Sequence, residues 1–312
     1  MIRRAKGEKG FALVLTLVIT ALMVAVTTDL VHQAYVDISL SRGFRDGQQA
    51  SLLAESGVSG GIKLLQLALL GQEFSSLSDP WAAPFRMDDE TGTIEVAISE
   101  ESGRINLNGL ILPNGEFEPF TLAALQRVGA RLEIPDEAWS SLADWLDVDD
   151  QTRSGGTETP YYASLRTPYK ARNGAMVTTA ELTLVRGFTA ETVRKLTPFV
   201  TIHAGQPGAP LSQININTAP KEVIAALDER IDDRLAERIM EERRLRPFKN
   251  TAELSRVPGF DTIAIGLLGK ISVKGTLFKI TSLARVKESG RTVEAVVRQS
   301  GSTQDFLSWQ EY

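Results

Sequence analysis

The chain has no cysteine and only two histidines, His32 and His203, far apart in sequence. Disulfides and thiolate metal sites are therefore excluded, while any compartment remains open. A zinc site of His ligands or a Ser-His-Asp triad would have to be built around one lone imidazole, so those enzyme classes start low. Nor does one sign of charge dominate: 34 Lys and Arg against 39 Asp and Glu leave a net charge of −5. The 43% hydrophobic and 23% charged residues are ordinary for a globular protein, and 312 residues suffice for one large domain or two to three small ones.

Charge is missing altogether from one run. Phe11 to Thr28, FALVLTLVITALMVAVTT, is 18 residues without a charged side chain. At about 1.5 Å per residue it spans roughly 27 Å, close to the thickness of a bilayer's hydrocarbon core. The preceding MIRRAKGEKG sets Arg3, Arg4, Lys6 and Lys9 against Glu8, a side-chain charge of +3. That flank would stay cytoplasmic, with the bulk of the chain outside. A cleaved secretory signal peptide is the competing reading, but its small-residue cleavage site is not evident in TTDLVHQAY.

Beyond this segment, apolar residues at Leu30, Ala34, Ile38, Leu53, Val58, Ile62, Leu65 and Leu69 extend the helix to about Leu70, with Gly43 and Gly47 as soft points. Residues 71–92, broken by Pro80 and Pro84, read as a linker. Thr93–Ser99, Phe278–Val286 and Thr292–Val297 alternate as strands, the last two joined by a turn with Gly290. They predict one small antiparallel sheet on the stalk helix, with a largely helical insert between the first strand and the second.

The insert repeats itself. TAELTLVRGF (179–188) matches TAELSRVPGF (251–260) at Thr, Ala, Glu, Leu, Val, Gly and Phe, and each is preceded by a similar entry segment, RINLNG (104–109) and QININT (213–218). Ile105 to Thr179 is 74 residues and Ile214 to Thr251 is 37, so the first copy carries about 37 more. Those extra residues include DWLDVDDQTRSGGTETPYY (144–162), with four Asp, one Glu and a single Arg. Asp147, Asp149, Gln151 and Glu158 stand at positions 1, 3, 5 and 12 of an EF-hand-like count, although Thr152 replaces the usual Gly. Closely spaced carboxylates suit a hard cation, and without one Asp147, Asp149 and Asp150 repel one another. A solvated acidic loop is the alternative that spacing leaves open. Trp139, Leu142, Ala143 and Leu146 share one helical face, which places Asp144 and Asp147 at a helix end and makes Trp139 and Trp145 core aromatics. Whether Tyr161 and Tyr162 pack on the loop or face a partner is undecided at this level.

Taken together, these features resemble a family. The basic leader ending in Gly10, then Phe11 and an apolar helix, looks like a type IV prepilin or type II secretion pseudopilin. Leu15 stands where that family usually has a Glu, and the absence of this Glu is similar to the K-type minor pseudopilin. The run D-W-L-D-x-D-D with Glu158 and Tyr161-Tyr162, and the RINLN and ININTAP segments, resemble the same K type in the same order. The resemblance implies cleavage after Gly10 by a prepilin peptidase, methylation of Phe11, and calcium held by Asp147, Asp149, Asp150 and Glu158, with Asp144 less firmly. It also implies an inner-membrane anchor, a periplasmic globular region and a non-enzymatic role at the pseudopilus tip. Minor pseudopilins of the I, J and H types and an inner-membrane assembly platform are the implied partners.

The expected fold class is α+β: a pilin-like long helix on a small antiparallel sheet, with a helical SAM-like or helix-hairpin-helix-like repeated insert. Expected boundaries are leader 1–10, anchor 11–31, stalk 32–75, linker and first strand 76–104, first repeat 105–205, second repeat 206–274, C-terminal strands 275–301 and tail 302–312. ININTAP and the second repeat also resemble the helix-hairpin-helix of DNA-binding competence proteins, which makes a DNA-uptake or adhesive minor pilin the alternative. Against it, Val257-Pro258-Gly259-Phe260 lacks the second hairpin Gly, and Lys221–Lys249 holds eight basic and eight acidic residues, so no nucleic-acid partner is expected. Gly57-Val58-Ser59-Gly60-Gly61 fits G-x-S-x-G formally, but it lies in a helix rather than at a strand-to-helix elbow, so an anchored hydrolase ranks last.

Overall fold

The computed structural model describes residues 8–205, 212–301 and 303–312. Most of the leader lies outside the described residues. Helix α1 (Glu8–Leu69) is 62 residues long, roughly 93 Å at 1.5 Å per residue, and passes through Gly43 and Gly47 without a break. From Gly10 to Arg45 every residue is exposed, and the helix includes a segment long and apolar enough to cross a membrane. Burial begins at Asp46. Ala50, Ala54, Val58, Ile62, Leu65 and Leu69 then form a stripe at intervals of three and four that faces the sheet. Each large side chain in that stripe contributes about 1.5–3 kcal/mol by leaving water.

The chain continues through strands β1 (Phe85–Asp88), β2 (Thr93–Glu100), β3 (Ile105–Asn106), β4 (Val200–Thr201), β5 (Ile214–Asn215), β6 (Ile271–Ser272), β7 (Leu277–Val286), β8 (Ser289–Ser300) and β9 (Thr303–Glu311). The main sheet is antiparallel, in the order β1-β2-β7-β8-β9. It has two strands beyond the three expected. β1 lies in the segment read as linker, and β9 forms most of the segment read as tail. Both are edge strands, and no alternation betrays them: β9 has no buried residue, and β1 is four residues long. The β7–β8 turn also differs from expectation. Val286 pairs with Ser289, so Lys287 and Glu288 make the turn, with Lys287 at φ 51°, while Gly290 is already in β8 opposite Arg285.

Small residues let α1 lie close on this sheet. A Cβ on Gly57 would overlap the Ser282 hydroxyl, and one on Gly61 would stand 2.9 Å from Ile280 Cγ2. The G-x-S-x-G run is thus a packing face inside a helix.

The insert leaves the sheet at Glu100 and returns at Leu277, where the Glu101 N–H donates to the Leu277 carbonyl at 2.8 Å. Thr91, two residues before β2, meets Gln49, whereas Glu100, at the end of β2, meets Ser75, which follows the C-terminus of α1. The insert therefore sits at the end of the molecule away from the apolar segment. Its helices are α2 (Pro119–Arg131), α3 (Asp136–Leu146), α4 (Thr159–Ala163), α5 (Ala190–Leu196), α6 (Lys221–Ala226), α7 (Asp233–Leu245) and α8 (Asp261–Gly266), around one continuous core.

The two repeats share a framework. Each opens on a two-residue strand paired in parallel with one that closes it, β3 with β4 and β5 with β6. In the first, the Asn108 side chain accepts from the Met176 N–H (2.8 Å) and donates to the Met176 and Ile202 carbonyls (3.0 and 2.7 Å). In the second, Asn217 accepts from the Phe248 N–H (2.9 Å) and donates to the Phe248 and Val273 carbonyls (2.8 and 3.2 Å). Backbone groups that would otherwise be buried without partners are thus paired by the second Asn of each N-x-N.

Candidate metal centre

The extra residues of the first repeat build the acidic site. Helix α3 buries Trp139, Leu142 and Leu146, while Asp136 and Glu137 favour its first turn through the helix dipole. Trp139 stacks edge-on with Phe188 at 5.4 Å, and Trp145 with Tyr162 at 5.3 Å, so both tryptophans are core residues. Tyr162 is fully buried, and its hydroxyl accepts from the Arg186 N–H at 3.3 Å; Tyr161 is exposed, with the Arg186 guanidinium 5.3 Å from its ring centroid. This anchorage brings α4 back against the end of α3.

Asp144, on the last turn of α3, Asp147, which caps it, and Glu158, which caps α4, then converge. Their relative exposures are 0%, 4% and 2%, and one carboxylate oxygen from each lies within 4.8 Å of the others. Asp144 accepts from the Thr157 N–H at 2.7 Å and from the Arg153 N–H at 3.3 and 3.2 Å. Gly156 is required beside it, since a Cβ there would overlap Asp144 Oδ2. Arg153 Nη1 donates to Asp144 Oδ1 at 2.7 Å and also to Asp147 Oδ2. Asp147 Oδ1 and Glu158 Oε1 are buried with no hydrogen-bond partner.

Three buried carboxylates beside one guanidinium leave an excess of negative charge. Burial pushes the Glu158 carboxyl up to about 7, and the neighbouring Asp144 and Asp147 carboxylates push the same way. Burial also raises the Asp147 carboxyl, against the opposing pull of Arg153. Orphaned carboxylate oxygens and this charge excess fit a divalent hard cation, which takes oxygen ligands.

Of the five residues singled out in the sequence, Asp144, Asp147 and Glu158 come together. Asp149 and Asp150 do not join them; both are exposed, beside Val148 at 86% exposure. Asp149 Oδ1 accepts from the Gln151 N–H, and Asp150 Oδ1 from Asn173 Nδ2. The EF-hand-like count assumes a continuous loop around the ion, whereas the carboxylates that converge here come from two helix ends. Helical spacing places Asp144 and Asp147 three residues apart on one face. Sequence reasoning gave no role to Arg153, Gly156 or Thr157. The only signal for Arg153 was its standing as the single cation of the acidic run.

The family described as "Type II secretion system (T2SS), protein K" matches residues 103–205 and again 214–274, together more than half of the chain. Type II secretion system protein K of Aeromonas hydrophila is 27% identical over 325 residues, covering 93% of each chain. That of Pseudomonas aeruginosa is 30% identical over 265 residues, covering 80% of this chain and 77% of the relative. In structure, the chain resembles one in the GspK-GspI-GspJ complex of the enterotoxigenic Escherichia coli Type 2 Secretion System, with a TM-score of 0.74 and 24% identity, over 87% of this chain and 99% of that one. Both matched segments lie in the repeated insert that carries the buried carboxylates, and the remaining likeness covers the pilin-like body: the chain belongs to the type II secretion system protein K family.

Proposed function

We propose that the chain is a non-enzymatic minor pseudopilin that stands at the tip of a type II secretion pseudopilus, where it initiates or caps assembly. The observation that carries this reading is the placement of the insert. A body of helices sits on the distal end of the pilin-like sheet, where it would obstruct a subunit stacked above. Leu15 on α1 agrees with that position, since it offers no carboxylate to the N-terminal amine of a neighbour above, a charge costly to bury alone. The apolar segment anchors the chain in the inner membrane, with the remainder periplasmic. A prepilin peptidase cuts after Gly10, and the new N-terminus at Phe11 is methylated. Partners are the other minor pseudopilins of the I, J and H types and the inner-membrane assembly platform, in keeping with a structural neighbour crystallised with GspI and GspJ.

Asp144, Asp147 and Glu158 hold a divalent hard cation, most suitably calcium, which clamps the ends of α3 and α4. When bound, the ion supplies charge compensation for the orphaned carboxylate oxygens. Asp144 and Thr157 orient the loop through their hydrogen bond, and Tyr162 packs its far side. Purification of the secretion machine from cells expressing a tagged chain tests the tip role. One copy per pseudopilus at one end is expected, and labelling along the whole shaft would overturn it.

A further inference from the structure

Arg153 is the only basic residue between Asp144 and Tyr162, and its side chain lies among the carboxylates just assigned to a cation. We propose that Arg153 is a tethered counter-ion that competes with the divalent cation for Asp144 and Asp147. The inference rests on the cation reading of the cluster. Nη1 reaches Asp144 Oδ1 and Asp147 Oδ2 together, so it occupies the space between the two carboxylates that an ion shared by them would need. A guanidinium and a divalent ion on the same two oxygens would repel each other at a few ångströms, in a setting where burial weakens screening.

Two further contacts give the displaced group somewhere to go. Nη2 donates to the Gly115 carbonyl, and the guanidinium carbon lies 5.6 Å from the Phe117 ring centroid. Neither contact involves a carboxylate, so both can persist once Nη1 has withdrawn. The Arg153 side chain is 20% exposed, whereas Asp144 is fully enclosed, so the path out leads to solvent. Arg153 therefore keeps the buried carboxylates partly neutralised when cation is scarce and yields when it is abundant. Removing either charge from a buried pair without replacement is costly.

Competition lowers the apparent affinity by the fraction of time the guanidinium is withdrawn. If it is seated about nine-tenths of the time, its removal tightens calcium binding about tenfold. The test is calorimetric titration of the full chain in detergent with calcium chloride, native against Arg153→Met and Arg153→Lys. Arg153→Met, which keeps the aliphatic bulk, should bind about tenfold more tightly; Arg153→Lys, which keeps the charge, should stay near native. Equal or weaker binding by a folded Arg153→Met would overturn the competition. If that variant does not fold, the native chain decides through its arginine Nε–H resonances, with the Arg153 signal assigned by its loss in Arg153→Lys. Calcium should shift that signal as Nη1 leaves the two carboxylates, and a signal unmoved at saturation would overturn the proposal. Failure of the native chain itself to take up calcium would instead overturn the cation reading of the cluster, and the competition with it.

Discussion

Asp147 and Asp149 stand two residues apart in opposite surroundings, one enclosed with an orphaned oxygen and the other in water. Asp147→Asn should therefore abolish the stabilisation of the detergent-solubilised chain by calcium, while Asp149→Asn should leave it nearly intact. A ligand that binds only the folded state stabilises by about 2.7 kcal/mol at a hundredfold excess over Kd. The melting temperatures in millimolar calcium and in chelator should differ for Asp149→Asn and coincide for Asp147→Asn. The opposite pattern would return the ion to the exposed part of the loop. Glu100 provides a second residue-scale test. It is buried where the sheet meets the second repeat, accepting from Asn215 Nδ2 (2.7 Å), Ser75 Oγ (2.8 Å) and Thr218 Oγ1 (3.0 Å). Burial outweighs these bonds and raises its carboxyl to about 7. The folded state thus holds a proton that the unfolded chain releases near 4.5. Its contribution is full below that value and is lost as pH rises toward 7, at up to about 1.4 kcal/mol per pH unit. Glu100→Gln, compared with the native chain in saturating calcium so that Glu158 stays ionised, should flatten the decline of melting temperature across this window. An unchanged slope would assign the decline elsewhere.

At the scale of elements, the repeat was the most legible feature, because its recurring side chains perform the same task twice. Asn108 and Met176 are 68 residues apart and Asn217 and Phe248 31 apart, a difference of 37 that equals the surplus between the two copies in sequence. Asn217 is fully buried and pairs three backbone groups, so Asn217→Ala should cost about 2–4 kcal/mol in denaturant unfolding. Asn108 is only partly buried, and Asn108→Ala should cost less because water can replace its bonds. Equal and negligible losses would show that the side chains do not hold the repeat together. The stalk, the alternating strands β2, β7 and β8, and the core role of both tryptophans were legible for a similar reason, since apolar periodicity states which face is buried. β1 and β9 were not, because an edge strand outside the core needs no such pattern. The carboxylate cluster was half legible: acidic density located it, but the choice of Asp144 over Asp149 depends on where α3 ends and α4 returns. Tertiary packing of Tyr162 and Arg186 decides that.

At the scale of the whole molecule, the two points where the chain passes between body and insert lie side by side. Glu100 pairs with Phe278 across β2 and β7, and the next backbone bond, Glu101 to Leu277, already closes the gap that the insert spans. Removing residues 102–276 and bridging the ends with Asn-Gly would convert this junction into a two-residue hairpin, a connection suited to twisted antiparallel strands. The α1–sheet core is a separate cluster from that of the insert, so the shortened chain should retain its sheet, read as strand content and a cooperative melt, while losing every response to calcium. Obstruction of the distal end and the missing carboxylate at Leu15 are then separable causes of a tip position. Leu15→Glu in the full chain should still confine the protein to the tip, because the insert blocks stacking. The shortened chain with Leu15 unaltered should also fail to polymerise, because the amine of its neighbour is unpaired. Only the shortened chain carrying Leu15→Glu should enter the shaft, visible as label along the length of overproduced pseudopili. If Leu15→Glu alone suffices for shaft entry, the insert is no obstacle and the carboxylate is the whole determinant.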